Sequence, residues 1–274
     1  MLYNGSEHKE SEYEMKTISI NGINLAYTRR GQGTPLVLIH GFPLDHTSWD
    51  EVAPILENKF DVILPDLRGF GQSTTIESPY LIADMADDIA RLLDDLGIEK
   101  AAIAGHSMGG YVALAFLKKY PQRVIGLGLI SSQAVADTPE RKDGRYKTAS
   151  DVAEKGVSVV VEAMTPKLSA DIRVQKYVRT VIGSQSQLAV IGALKAMAER
   201  EEMLPYLSAL QNNHLDFPVT LIHGDADVLI PLDRSKEIIS VLPSAKLFEL
   251  SGAGHMPMME FAQATADGLM FLAS

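Results

Sequence analysis

Cysteine is absent from the chain. That excludes a disulfide framework and a thiolate metal site, and it suits a reducing compartment such as the cytoplasm, the expected location. Positive charge is scarce as well: Lys and Arg number 25 against 35 Asp and Glu, a formal net charge of −10. Basic residues form nothing longer than short pairs such as Lys118-Lys119. Nucleic acid is therefore excluded as a partner, because binding it requires clustered cations on the phosphates. No apolar run approaches the roughly 18 residues of a membrane span, so no membrane partner is expected. The opening stretch MLYNGSEHKESEYEMK lacks a basic n-region and an apolar h-region, and 1–15 reads as a polar, mobile lead-in. DADVLIPLD lacks the ligand spacing of a calcium loop, and no glycine-rich nucleotide fingerprint follows the first parallel strand. Neither a metal nor an organic cofactor is expected.

What is present is alternation. KTISINGINLAYTRRG places alternating residues around Asn21-Gly22, the signal of a β-hairpin. Six short apolar runs follow, at 35–40, 60–66, 100–106, 123–131, 218–225 and 245–252. They lack strict alternation, as strands buried on both faces do. Between most of them lie helical patterns, such as Leu81, Met85, Ile89, Leu92, Leu93 and Leu96. The fold class is α/β: a mostly parallel, doubly wound sheet with an N-terminal antiparallel hairpin. One interval breaks the rhythm. From 133 to 215 no strand is expected, only helical segments punctuated by Pro139, Pro166 and Pro205. The division is a core of 16–132 and 216–274 carrying a helical cap, 133–215.

The chemistry centres on IAGHSMGG, where Gly105 and Gly109 bracket Ser107 between a strand run and a helical run. Gly-x-Ser-x-Gly in that context is a nucleophile elbow, a strained turn that lifts the serine above the sheet. A serine hydroxyl needs a base, and the base an orienting acid; in a fold with this elbow both come from loops after later strands, in the chain order Ser, acid, His. His8, His40, His46 and His106 precede Ser107 and fail that order. His214 sits in a polar segment and His223 within a strand run, which leaves His255 in SGAGHMP. HGDADVLIP offers two acids, Asp225 and Asp227. Asp227 is favoured because it stands further beyond the strand end, while Asp225 suits local backbone amides in the turn. Asp137 is a weaker rival. The oxyanion that attack creates needs amide donors: the N–H of Met108 and, in HGFPLDHTSW, that of Phe42, since Pro43 has none. His40 reads as a support for this loop, and Trp49 as packing for the first helix.

HGFPLDHTSW, DLRGFGQS, GHSMGG, HGDADVLIP and GAGH stand in one order from Ile18 onward. In this the sequence resembles the α/β-hydrolases, in particular their serine esterase, non-haem haloperoxidase (perhydrolase) and enol-lactonase group. The resemblance implies a triad of Ser107, Asp227 and His255, an oxyanion hole of Phe42 and Met108, and DLRGFGQS (66–73) as a structural loop beside the site. It also implies that the cap shapes the acyl pocket. Ser107 stands where the dehalogenases and epoxide hydrolases of that fold carry Asp, which argues against both. The expected activity is hydrolysis of small or medium carboxylic esters or lactones through an acyl-enzyme. Pro43, Met164 and Met256 are candidate pocket residues, and Pro43 at this position in haloperoxidase-like members implies perhydrolysis as a side activity. An enol-lactonase would need a cationic clamp, for which Arg141, Lys142, Arg145 and Lys147 are candidates. The apolar residues Val157, Val159, Val160, Val161, Leu168, Val190 and Ile191 fit either an acyl pocket or plain packing of the cap. A small-molecule receptor or regulator on the same fold is the alternative from another class. The expected partner is a small ester or lactone. A homo-oligomer is compatible with the sequence but not specified by it.

Overall fold

The computed structural model describes residues 14–74, 77, 79–212 and 216–273. The lead-in read over 1–15 lies outside this set except for its last two residues, as do His8 and His214. Eight strands form one sheet: β1 (Lys16–Ile20), β2 (Ile23–Arg30), β3 (Thr34–Ile39), β4 (Phe60–Pro65), β5 (Ala101–His106), β6 (Val124–Ile130), β7 (Val219–Gly224) and β8 (Lys246–Leu250). Their spatial order is β1-β2-β4-β3-β5-β6-β7-β8. The β1–β2 and β2–β4 pairs are antiparallel; every other pair is parallel. Asn21 and Gly22 both have positive φ, as the two-residue turn between β1 and β2 requires.

The helices are α1 (Ala53–Leu56), α2 (Ile82–Asp95), α3 (Met108–Lys119), α4 (Pro139–Lys155), α5 (Ser158–Leu168), α6 (Ile172–Ser184), α7 (Gln187–Ala198), α8 (Leu204–Asn212), α9 (Asp233–Val241), α10 (Pro257–Glu260) and α11 (Ala262–Met270). In α2 the apolar positions at helical spacing face inward, with Met85, Ile89, Leu92 and Leu93 buried, and Asp84 in the first turn accepts the Leu81 N–H at 2.7 Å. Trp49 is buried in the core, in the short turn of helix ahead of α1.

Helices α4 to α8 occupy the interval between β6 and β7, and no strand falls there among the described residues. The three prolines act differently from simple breaks. Pro139 begins α4 behind the Thr138 cap and Pro205 stands in the first turn of α8, where a missing N–H costs nothing. Pro166 lies inside α5, within its last turn. Val160, Val161, Leu168 and Val190 are buried in the core, and Val157, Met164 and Ile191 pack against it half-buried. No helix among the described residues is long and apolar enough to cross a membrane.

Topology places the chemistry. Parallel strands end on the same edge, so the segments after β3, β5, β7 and β8 emerge side by side. Ile39 pairs with Gly105, which sets the loop after β3 directly against the turn after β5.

Candidate active site

Ser107 follows β5 and precedes α3 with φ 51° and ψ −112°, in the left-handed half of conformational space. Its amide continues the sheet by donating to the Ile130 carbonyl at 2.9 Å. A non-glycine residue held there is strained, and strain of this kind collects at functional sites. The neighbouring glycines are required by contact. A Cβ on Gly105 would lie 2.1 Å from the backbone of Gly109, and one on Gly109 would lie 2.2 Å from the Ile39 carbonyl oxygen. The turn can thus close only without those side chains.

His255 follows β8 and is buried, and its Nδ1 pairs with Asp227 Oδ2 at 2.7 Å. The other carboxylate oxygen of Asp227 accepts the amides of Leu229 and Ile230 at 2.9 and 3.0 Å. Burial alone would raise the Asp227 pKa. Electrostatic interaction with the His255 ring, hydrogen bonds from His223 and His255, and the Ile230 amide outweigh it and hold the carboxyl well below the usual carboxylate range. Asp225 turns elsewhere: its carboxylate accepts the Gly252 amide at 2.6 Å and the Ser251 hydroxyl at 3.1 Å. Asp137 is bound by Arg145 and by Arg200, the latter at 2.8 Å. Of the three acids weighed in the sequence, Asp227 alone meets the imidazole. Among the described residues no hydrogen bond joins Ser107 Oγ to His255 Nε2; in unliganded sites this contact is often long and tightens with substrate.

The loop after β3 turns sharply, with Leu44 N–H donating to Gly41 O at 2.9 Å. Phe42 is buried edge-on against Phe70, centroids 6.3 Å apart. Neither the Phe42 nor the Met108 amide donates a hydrogen bond within the described chain. Met108 opens α3, where the first-turn N–H groups have no partner inside the helix. His40 braces this loop: Nε2 accepts the Leu67 amide at 2.9 Å, which leaves Nδ1–H to donate to Gly41 O at 2.9 Å. Burial keeps His40 below the ordinary histidine pKa, against the pull of Asp66. Behind it, Asp66 of DLRGFGQS takes the His46 amide and ring, each at 2.8 Å, and the Gln72 amide at 2.8 Å.

Sequence reasoning missed three partners. His223 is fully buried behind Asp227, its Nε2 donating to Ile230 O at 2.7 Å and 3.5 Å from Asp227 Oδ2, with Ser235 Oγ on its Nδ1 at 2.8 Å. His46 packs on Asp66, and His106 contacts the His255 backbone. For His223, its position four residues before Asp227 across a strand end was the available signal.

The candidate clamp cations are engaged with carboxylates: Arg145 with Asp137, Lys142 with Glu199 at 2.5 Å and Lys147 with Asp151 at 2.8 Å, while Arg141 lies 3.9 Å from Asp137. Pro43 and Met256 are buried and Met164 half-buried. A cavity of about 380 Å³ lies between the start of α2, α3, the segment after β6 and the α7–α8 connection, lined by Leu81, Tyr111, Gln133, Arg200 and Met203 among others. It takes in neither the Ser107–Asp227–His255 group nor Pro43, Met164 or Met256. Hydrogen bonds join the insertion to the site's loops, among them His255 N–H to Leu168 O at 3.0 Å, Arg173 Nη2 to Met259 O at 3.1 Å, Gly71 N–H to Gln185 Oε1 at 3.0 Å, and Thr47 Oγ1 with the Tyr177 hydroxyl at 2.7 Å. Among the described residues no group of His, Asp and Glu could hold a metal ion.

Residues 34–262 match a family model described as the alpha/beta hydrolase fold. The dihydrolipoyllysine-residue acetyltransferase component of the acetoin cleaving system of Pseudomonas putida is 32% identical over 237 residues, covering 84% of this chain and 61% of that protein. A thermophilic esterase from Thermogutta terrifontis, solved with malate bound, superposes with a TM-score of 0.87 at 34% identity over 95% of this chain and 97% of that one. The enol-lactonase from Burkholderia xenovorans LB400 shares the fold at a TM-score of 0.86 and 23% identity, over 94% of this chain and 100% of that one.

Proposed function

Since the chain belongs to the α/β-hydrolase family, we propose that it is a serine hydrolase that cleaves small to medium carboxylic esters or lactones through an acyl-enzyme. The observation that carries this reading is the pairing of a strained serine at the end of β5 with a buried His255–Asp227 hydrogen bond of 2.7 Å on the same sheet edge. In this scheme Ser107 Oγ attacks the acyl carbonyl and His255 Nε2 takes its proton. Asp227, ionised because its pKa is depressed, holds Nδ1–H and stabilises the imidazolium. The amides of Phe42 and Met108 receive the oxyanion, where each donor contributes about 3–4 kcal/mol to the transition state. His255 then returns the proton to the leaving alcohol, and water repeats the sequence to release the acid.

The similarity to an esterase at 34% identity supports an ester as substrate. An enol-lactone substrate fits less well, because the cations that would clamp its charge are already neutralised by neighbouring carboxylates. Multiple turnovers of p-nitrophenyl acetate that vanish in Ser107→Ala are expected. A single acylation event without turnover would instead mark a small-molecule receptor. The perhydrolase side activity rests on Pro43 alone. Peracid formation from acetate and hydrogen peroxide should fall in Pro43→Leu, and equal rates in both proteins would refute the link.

A further inference from the structure

His106 is the last residue of β5, fully buried and adjacent in the chain to Ser107. Its Nε2 lies 2.7 Å from the carbonyl oxygen of His255. A carbonyl only accepts, so the ring proton sits on Nε2 and Nδ1 is left as an acceptor. That Nδ1 is buried with no hydrogen-bond partner among the described residues. The His106 and His255 rings lie 4.9 Å apart, tilted by 57°. On its other side the His106 ring presses on the loop after β3: a Cβ on Gly41 would lie 2.3 Å from Nδ1. One ring therefore touches the segments that carry the nucleophile, the base and an oxyanion amide. Packing alone does not call for an imidazole here, because a buried ring nitrogen without a partner is a cost that an aliphatic side chain would not carry. What an aliphatic side chain could not supply is the N–H aimed at the His255 carbonyl. The preceding peptide group of His255 is held as well, its N–H donating to Leu168 O at 3.0 Å. The base is thus bound through its backbone from two directions, by the nucleophile's own strand and by the helical insertion.

We propose that His106 is a positioning residue that sets the imidazole of His255 relative to Ser107 by binding the His255 carbonyl. This rests on the reading of Ser107, Asp227 and His255 as a triad. Burial, and then repulsion from His255, keep His106 far below the ordinary histidine pKa, so the donor stays neutral and adds no second cation when His255 is protonated.

The test uses the full chain with ring-¹⁵N histidine, and follows both the low-field Nδ1–H resonance of His255 on Asp227 and the hydrolysis of p-nitrophenyl acetate. Melting curves establish that each variant is folded. His106→Leu fills the space without a donor; His106→Gln keeps a donor at the reach of Nε2; His106→Asn stops short of it. In the Leu and Asn variants the resonance should shift or broaden, and kcat should fall ~10²-fold, the scale of a misplacement of about 1 Å. KM should stay within about twofold, because the ring is fully buried and closed off from the surface. Gln should restore the resonance and most of kcat. Should Leu fail to fold, the contrast between Asn and Gln makes the same decision. A folded Leu or Asn variant with unchanged resonance and kcat would overturn the proposal, as would equal losses in Asn and Gln. Wild-type protein with no Ser107-dependent turnover would remove the hydrolase reading, and the resonance alone would then judge the role of His106.

Discussion

The sheet edge that carries Ser107 and the helical insertion beside it are held by different physics. At the edge, polar groups are buried and each has few alternatives. Asp227 and His255 have side-chain exposures of 0% and 3%, and backbone approaches leave no room for a Cβ at Gly105 or Gly109. In the insertion one charged cluster is buried, Asp137 with Arg145 and Arg200, and the other ion pairs lie on the surface. Lys147 pairs with Asp151 while its side chain remains 77% exposed, and the Arg179–Glu162 and Lys142–Glu199 pairs are open to water as well. Removing one member of a buried pair strands the other, whereas an exposed pair is screened and loses little. The edge should therefore tolerate almost no substitution, while the insertion can vary at its exposed pairs, away from Asp137 and Arg200, and still pack.

The sharpest test of that contrast is Ser107→Ala, for which kcat should fall by about 10⁶-fold with the fold intact. Single-turnover and steady-state hydrolysis of p-nitrophenyl acetate would measure it. Next comes Asp227→Asn, which keeps the shape but loses the charge that orients the imidazole; kcat should drop about 10⁴-fold with little change in KM. Gly105→Ala removes no reactive group yet forces a methyl into the backbone of Gly109 and so into the turn that holds Ser107. Urea unfolding should show a loss on the order of 3 kcal/mol, since overpacking at fixed backbone has no cheap relaxation.

Acid should act on the same edge. Asp66 and Asp227 are both buried, and both are held below the usual carboxylate range by their histidine partners in spite of burial. A depressed folded pKa means stability that is present above the unfolded value of about 3.9 and is lost as pH falls through it towards the folded value. The urea midpoint should therefore decline below about pH 4, and Asp227→Asn should flatten that decline. At the small end, Lys147→Ala in the insertion should leave both melting temperature and kcat unchanged within error. A clear loss there would break the comparison.

Local backbone demands were the most legible part of the chain. Asn21-Gly22 and Gly105-x-Ser107-x-Gly109 state their turns directly, because only certain residues reach positive φ or permit a close approach. The strand runs were legible for a similar reason, since a central parallel strand must be apolar on both faces. The prolines of the insertion were harder. Pro139 and Pro205 stand in the first turns of α4 and α8, where the same residue that breaks a helix interior starts one. Within HGDADVLIP both Asp225 and Asp227 are suitable carboxylates, and two residues of separation turn one to the Gly252 amide and the other to His255.

By itself the sequence determined the elements, the elbow and the order in which serine, acid and histidine arrive, since these follow from short-range sterics and periodicity. Tertiary structure decided which groups meet. His106 reaches the His255 carbonyl across 149 residues of chain, and His223 lies behind Asp227 only because a strand end and the turn beyond it fold together. Such pairings depend on strand order and loop path, which no local pattern encodes.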